Sequence, residues 1–373
     1  MKIEQSIYVP GAGWESRVGA LGDAQPQLVL VFGERDLLEQ NLGFAELRHS
    51  YPTAHIVSAS TSAAIAGCEI IEGAIAATAV AFEKTRVACA VAPSADSRAA
   101  GKALAEQLRG PELVHVFVVS DGLRVNGTDL VCGFKQKLPP GVLLTGGLAG
   151  DGIRFERTLV GLDGPPLAGQ VVAIGFYGTA LCRGCGTAGG WTPFGPLRTV
   201  TRAEGNTLYE LDGKSALKLY RTYLGEQAAG LPSSAQRFPL GVTRAGSEQA
   251  IVRTVISTVD SKDCMVFAGD IPMGARARFM RASYEDIIDS AGQAAEQSRG
   301  IEEPELVVCV SCLGRHIVLG QRIEEEMENV RAAVGQTAVL AGFYSNGELA
   351  PSGDSTACDL HNQTMSVTSL REV

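Results

Sequence analysis

The chain has 373 residues, 45% of them hydrophobic and 20% charged, with a net charge of -9. That length allows two domains with cores of their own, and the balance is that of a folded rather than a disordered protein. The acidic charge excludes the electrostatic footprint of a nucleic-acid binder or of an anionic-membrane binder.

In chain order, 27–32 is a continuous apolar run closed by Gly33, and 34–49 has helical spacing at Leu37, Leu38, Leu42 and Leu47. Gly11-Ala12-Gly13 precedes this first strand, so it is not a dinucleotide fingerprint. Pro52 ends the helix, 55–58 is a short strand, and 73–82 and 86–92 read as paired strands joined by the charged turn Glu83-Lys84. Helix 96–109, strand 113–120, helix 126–137 and strand 142–145 follow, then a strand-rich stretch from 157 to about 211 that carries most of the turn glycines. Helix 214–228 sets Leu217, Tyr220 and Leu224 on one face, and Leu231-Pro232 and Phe238-Pro239 punctuate the passage into strand 240–242. Strands 250–259, 264–267 and 275–280 come next. Helix 283–299 opens with Ser283 and Asp286 at capping-box spacing. Strand 306–311, helix 319–334, strand 337–342 and a last strand at 363–368 complete the chain. The alternation predicts an α/β fold of two related mixed-sheet modules with flanking helices, 1–212 and 213–373, meeting near 205–215.

No run of about eighteen apolar residues occurs and the first residues lack a signal-peptide core, so a cytoplasmic chain with no membrane partner is expected. Nine cysteines, an odd number, fit a reducing compartment. Cys182–Cys185 and Cys309–Cys312 have C-x-x-C spacing, but the second pair lies in a β-rich run whose residues three apart point to opposite faces, unlike a zinc knuckle. Small buried thiols are the simpler reading.

Polar groups crowd the stretch 341–364. It follows an apolar run and places Tyr344, Ser345, Asn346, Glu348, His361, Asn362 and Gln363 together. So many hydrogen-bonding groups at a strand end point to a bound polar ligand. An echo exists upstream: Ser60-Thr61-Ser62-Ala63-Ala64-Ile65 also follows a strand and precedes another, as Tyr344-Ser345-Asn346-Gly347-Glu348-Leu349 does. A third strand ends in Thr145-Gly146-Gly147-Leu148-Ala149-Gly150-Asp151.

These motifs resemble those of the FIST family of bacterial sensory proteins. Its N-terminal module resembles 28–212, through Ser60-Thr61-Ser62, Gly146 to Asp151, Val200-Thr201, Gly205-Asn206 and Glu210-Leu211. Its C-terminal module resembles 216–366, through Leu231-Pro232, Phe238-Pro239-Leu240-Gly241, Ser311-Cys312-Leu313-Gly314-Arg315, Leu319-Gly320, Gly342 to Glu348, and Leu360-His361-Asn362-Gln363-Thr364. One departure is that Ala63-Ala64 replaces the family's Gly-Glu after the first corner. The resemblance implies a sensory protein that binds a small ligand. In one stand-alone group of the family it implies haem, nitric-oxide sensing, and partners that are a histidine kinase or a cyclic-di-GMP enzyme.

A haem needs an axial ligand, and five histidines exist: His49, His55, His115, His316 and His361. His316 and His361 are the candidates, the other three reading as surface or core residues. The expected ligand site is the corner of Ser311, Arg315, His316, Tyr344, Ser345, Asn346, Glu348, His361, Asn362 and Gln363, with Glu348 drawn inward and paired to Arg315. An enzyme using Ser311 or Cys312 with His361 and Glu348, and a purely structural interaction protein, are the alternatives. No G-x-S-x-G, H-E-x-x-H or P-loop motif is present. With no output motif of its own, the chain would signal through 184–195 or the junction 211–216, with Trp191, Pro193 and Phe194 packed between modules or exposed.

Overall fold

A computed structural model describes residues 1–231, 233–246, 250–298, 300, 303–351 and 357–373. Pro232, Arg299 and the 352–356 part of the polar C-terminal stretch lie outside them.

The first unit holds β1 (Lys2–Val9), β2 (Gly13–Gly19), β3 (Leu28–Gly33), α1 (Arg35–Glu39), α2 (Phe44–Ser50), β4 (His55–Ser60), β5 (Ala64–Ala66), β6 (Glu69–Ile71) and β7 (Ile75–Ala81). The second holds β8 (Arg86–Pro93), α3 (Ser97–Gln107), β9 (Leu113–Ser120), α4 (Gly127–Lys135), β10 (Leu143–Leu148), β11 (Val160–Leu162) and β12 (Gln170–Tyr177). After β13 (Leu181–Ala188) comes an insert: β14 (Thr192–Glu204), β15 (Thr207–Leu211), β16 (Lys214–Ser215), α5 (Ala216–Leu224), β17 (Leu240–Thr243), β18 (Ile251–Arg253), β19 (Val255–Val259), β20 (Cys264–Phe267) and β21 (Arg276–Arg281). The third unit then continues through α6 (Tyr284–Gln297), β22 (Leu306–Cys312), α7 (Leu313–Leu319), α8 (Glu324–Val334), β23 (Val339–Ser345), β24 (Gly347–Pro351), β25 (Cys358–His361) and β26 (Met365–Glu372).

Each unit builds a six-stranded sheet on one plan. A central parallel pair (β3 with β4, β9 with β10, β22 with β23) is flanked by two antiparallel strands, β7 and β1, β12 and β8, or β26 and β13. The strands cross between units in a cycle. β5 and β6 leave the first unit to pair beside β23, β24 and β25 leave the third to pair beside β10, and β11 leaves the second to pair beside β4. The apolar runs explain why the sheets associate. Leu28, Leu30 and Phe32 face a common interior with Phe117, Val119, Val308, Val310 and Phe343, while Val29 and Val31 face α1 and α2. Val116 and Val118 likewise face α3 and α4, and Val307 and Cys309 face α6 and α8. A strand buried on both faces reads as an unbroken apolar run.

The fold is therefore mixed α/β, in two domains with flanking helices: the three-sheet body and the inserted sheet of 192–281, which has a core of its own around Leu217, Tyr220, Phe267 and Phe279. The expected junction near 205–215 lies inside the inserted sheet, where Asp212 and Gly213 take positive φ of 51° and 72° between β15 and β16.

Four local expectations are corrected. A β1–β2 hairpin turning at Gly11 to Gly13 precedes 27–32. It has no apolar run because it alternates, with Gln5 buried between Ile3 and Ile7 and bonded through Nε2 to Thr78 Oγ1 and the Leu340 carbonyl. The helix at 34–49 is two helices, broken where Asn41 and Gly43 take φ of 57° and 71°. The strands at 73–82 and 86–92 exist but do not pair with each other. They enter different sheets, and the link between them is fixed by Glu372, whose carboxylate accepts from the Glu83, Lys84 and Thr85 N–H groups at 2.7, 2.8 and 2.6 Å. The helix expected at 319–334 starts later, as α8 at Glu324; Leu319 is the last residue of α7, and Gly320 with φ 54° separates the two. The capping box at Ser283 and Asp286 is present in both directions.

Candidate functional site

The second strand of each parallel pair ends in a corner, and the three corners touch. Gly150 N donates to the Ser60 carbonyl, Asn346 N donates to the Leu148 carbonyl, and Tyr344 N donates to the Ala63 carbonyl, at 2.9, 2.9 and 3.0 Å. Thr61 Oγ1 donates to the Tyr344 carbonyl at 2.7 Å. The sequence echo is thus a spatial one, and the third strand end belongs to it.

Two buried carboxylates shape the loops around the corners. Asp121 accepts from Leu123 N, Arg124 N, Thr158 Oγ1 and Gly169 N, at 2.6 to 2.9 Å. Asp151 accepts from the N–H groups of Phe155, Glu156 and Arg157 and from Arg35. Loop 122–126 and Phe155 thereby face the insert across a cavity of about 450 Å³ at the carboxyl ends of β9, β10, β22 and β23. The walls include Leu123, Arg124, Leu148, Phe155, Thr254, Ile256, Phe267 and Ala268, with Cys312 to Gly314, Ser345 and Asn346 at the base. Asn126 Nδ2 donates to Asp270 across the gap at 3.2 Å. Arg253 ties the seam below, donating to the Asp270 and Leu360 carbonyls; burial pulls its guanidinium down to about 10.

Open polar valences gather here. Both amide atoms of Asn346 and Thr254 Oγ1 are buried without a hydrogen-bond partner among the described residues. Each such group costs about 1–3 kcal/mol when left unpaired. Arg124, whose backbone N–H is held by Asp121, has no ion-pair partner among the described residues.

The ten expected site residues do not share one environment. Ser345 and Asn346 line the cavity. Ser311, Arg315 and Tyr344 lie behind it, around the fully buried Glu326. Arg315 donates to Glu326 Oε2 from Nε at 3.0 Å and from its terminal nitrogen at 2.7 Å, and Ser311 and Tyr344 donate to Oε1 at 3.1 and 2.5 Å. The expected Arg315–Glu348 pair is therefore absent. Glu348 is buried as expected, but it accepts from Ser345 Oγ, Thr364 N and Thr364 Oγ1, and burial raises it to about 7. Gln363, with φ 61°, lays its carboxamide over Gly314, where a Cβ would sit 2.3 Å from Nε2, and donates to the Gln236 carbonyl and Oε1. Asn362 is buried beside Gly347.

The histidines stand apart. His316 bonds Glu72 at 2.9 Å in an open cleft of about 670 Å³ that also holds Glu34, Asp151 and Arg154. His361 donates from Nε2 to the Ala350 carbonyl at 3.1 Å, and burial lowers it to about 4. His55 pairs with Asp163, and His115 is buried on Thr145. A haem would need two apolar walls and an available imidazole nitrogen. The charged cleft at His316 lacks the apolar walls, and the buried ring of His361 is held by the Ala350 carbonyl, so neither fits a haem. Nor do Ser311 and His361 form a nucleophile and base, since Ser311 is bonded to Glu326 and His361 to the backbone.

Sequence reasoning missed Arg124, Phe155, Thr254 and Glu326. Asp121-Gly122, a polar pair closing strand 113–120, is the signal that could have flagged loop 122–126. Of the rings in 184–195, Trp191 donates to the Gln363 carbonyl at 2.8 Å and Phe194 packs on Tyr223, Phe238 and Phe279, so both serve packing.

No helix of the described residues is long and apolar enough to cross a membrane. No curated protein matches the chain. The FIST N domain matches residues 27–214 and the FIST C domain matches 216–351. The chain belongs to the FIST family, whose domains are generally sensory domains that bind small ligands.

Proposed function

We propose that the cavity between loop 122–126, the Asn346 corner and the inserted sheet is the sensory pocket, and that a partner protein reads its occupancy. The observation that carries this is the gathering of unpartnered polar atoms of Asn346 and Thr254 at the carboxyl ends of two parallel strand pairs, under a second domain. A ligand there touches three separately built pieces: a loop of the second unit, the corner of the third, and the insert. It would favour whichever arrangement of body and insert fits it better, because a ligand shifts an equilibrium only by its difference in affinity for two states. The segment 184–195, which leads from β13 into the insert, would carry that change to the surface. A histidine kinase or a cyclic-di-GMP enzyme in the cytoplasm is the partner class this reading names.

The test is thermal denaturation of the full chain against a metabolite library, with Ala268→Phe beside it. Ala268 lines the cavity, and a phenyl group there would take up part of its space. Compounds that raise the melting temperature of the wild type should fail on Ala268→Phe. Equal shifts in both proteins would place the ligand elsewhere.

A further inference from the structure

Asn346 stands where the third corner meets the other two. Its Oδ1 and Nδ2 are both buried and unpartnered among the described residues, and so is Ser62 Oγ on the first corner. Glycines flank the amide. A Cβ on Gly150 would lie 3.3 Å from Asn346 Oδ1 and 3.6 Å from Ser62 N, so the corners approach closely there and only a glycine leaves the amide oxygen uncrowded. A Cβ on Gly122 would lie 3.1 Å from Asn346 Nδ2.

The carboxylates packed on the corners are already engaged: Asp121 by four donors, Asp151 by loop 152–157 and Arg35, and Glu348 by Ser345 and Thr364. What remains open is an amide edge. Whichever way that amide is turned, it offers a donor beside an acceptor. A carboxylate would set a lone pair against its oxygen, and an ammonium would leave its N–H groups unmet. A group carrying one donor and one acceptor side by side satisfies both. The cavity mouth adds apolar surface, with Leu123, Phe155 and Ile256 exposed to 38%, 43% and 42%.

We infer that Asn346 reads a neutral amide edge, and that the ligand is a small carboxamide, lactam or ureide whose apolar part rests on Leu123, Phe155 and Ile256. This rests on the cavity being the ligand site.

Benzamide, benzoate and acetophenone share size and shape but differ in that edge, so calorimetric titration of the full chain with all three is the test. Benzamide should bind, with benzoate and acetophenone about tenfold weaker or more. Asn346→Ala should erase the preference. In the absence of ligand it should hold or raise the melting temperature, because it removes two unpaired buried groups; a large fall would mean that Asn346 is structural and would overturn the inference. Benzoate binding as tightly as benzamide, or no binding of benzamide at all, also overturns it. In the first of these cases, loss of binding in Ala268→Phe keeps the cavity as the site, whereas binding unchanged by that variant removes the cavity reading as well.

Discussion

The Arg315 guanidinium lies 2.7 Å from the Glu326 carboxylate, and both side chains are completely shielded from water. Ser290 Oγ and the Gly189 and Ile287 carbonyls take the remaining guanidinium donors. Ser311 and Tyr344 complete Glu326. One ion pair thus clamps α6, α7, α8, β22 and β23, and it anchors α7, whose first residues form the base of the cavity.

Breaking that pair from one side should be severe. Arg315→Met leaves Glu326 buried and uncompensated, and is expected to cost about 3–5 kcal/mol. Arg315→Met combined with Glu326→Leu should recover much of the loss, because no charge is then stranded. Urea denaturation of the three proteins measures both values. Equal stability of the single and double variants would contradict the account.

Glu348 makes stability fall with rising pH. Burial lifts its carboxyl from the ordinary 4.5 to about 7, so the folded chain holds this proton more tightly than the unfolded one. Its contribution is full below about 4.5 and is lost as the pH rises through about 7, an effect of a few kcal/mol. Glu348→Gln can turn its oxygen to Thr364 and its NH2 to Ser345, and should flatten this slope. Denaturation at about pH 5 and about pH 8 compares the two; parallel slopes would show that Glu348 does not set them.

Equivalent glycines hold the second and third parallel pairs close. A Cβ on Gly146 would lie 1.9 Å from the Val118 carbonyl oxygen, and one on Gly342 would lie 1.8 Å from that of Cys309. These contacts are backbone to backbone, so no side chain can yield. Gly342→Ala and Gly146→Ala should each cost about 3 kcal/mol or more. A melting temperature within a degree or so of wild type for either would refute the close approach.

Much of this was legible in the sequence. Unbroken apolar runs marked the central strands, since burial on both faces leaves no polar alternation, and the crowding of Tyr344 to Glu348 marked a real corner. The six-residue echo joined two of the three corners of a cyclic arrangement, but pairing partners far apart in sequence, such as β24 with β10, leave no local trace. Glu326 stands in the run Glu324-Glu325-Glu326, where nothing local marks one glutamate as the buried one. The partner of Arg315 was hidden for that reason, and Glu348 took its place. Thr254 and Ile256 lie in the insert, where nothing local reveals which face meets the body.

Hydrogen exchange with and without a bound compound tests the central claim most directly. The cavity reading predicts protection appearing together in 122–126, 312–314 and 266–270, three segments distant in sequence that meet only at this site. Protection confined to 72–73, 151–154 and 316–320, the cleft of His316, would contradict it.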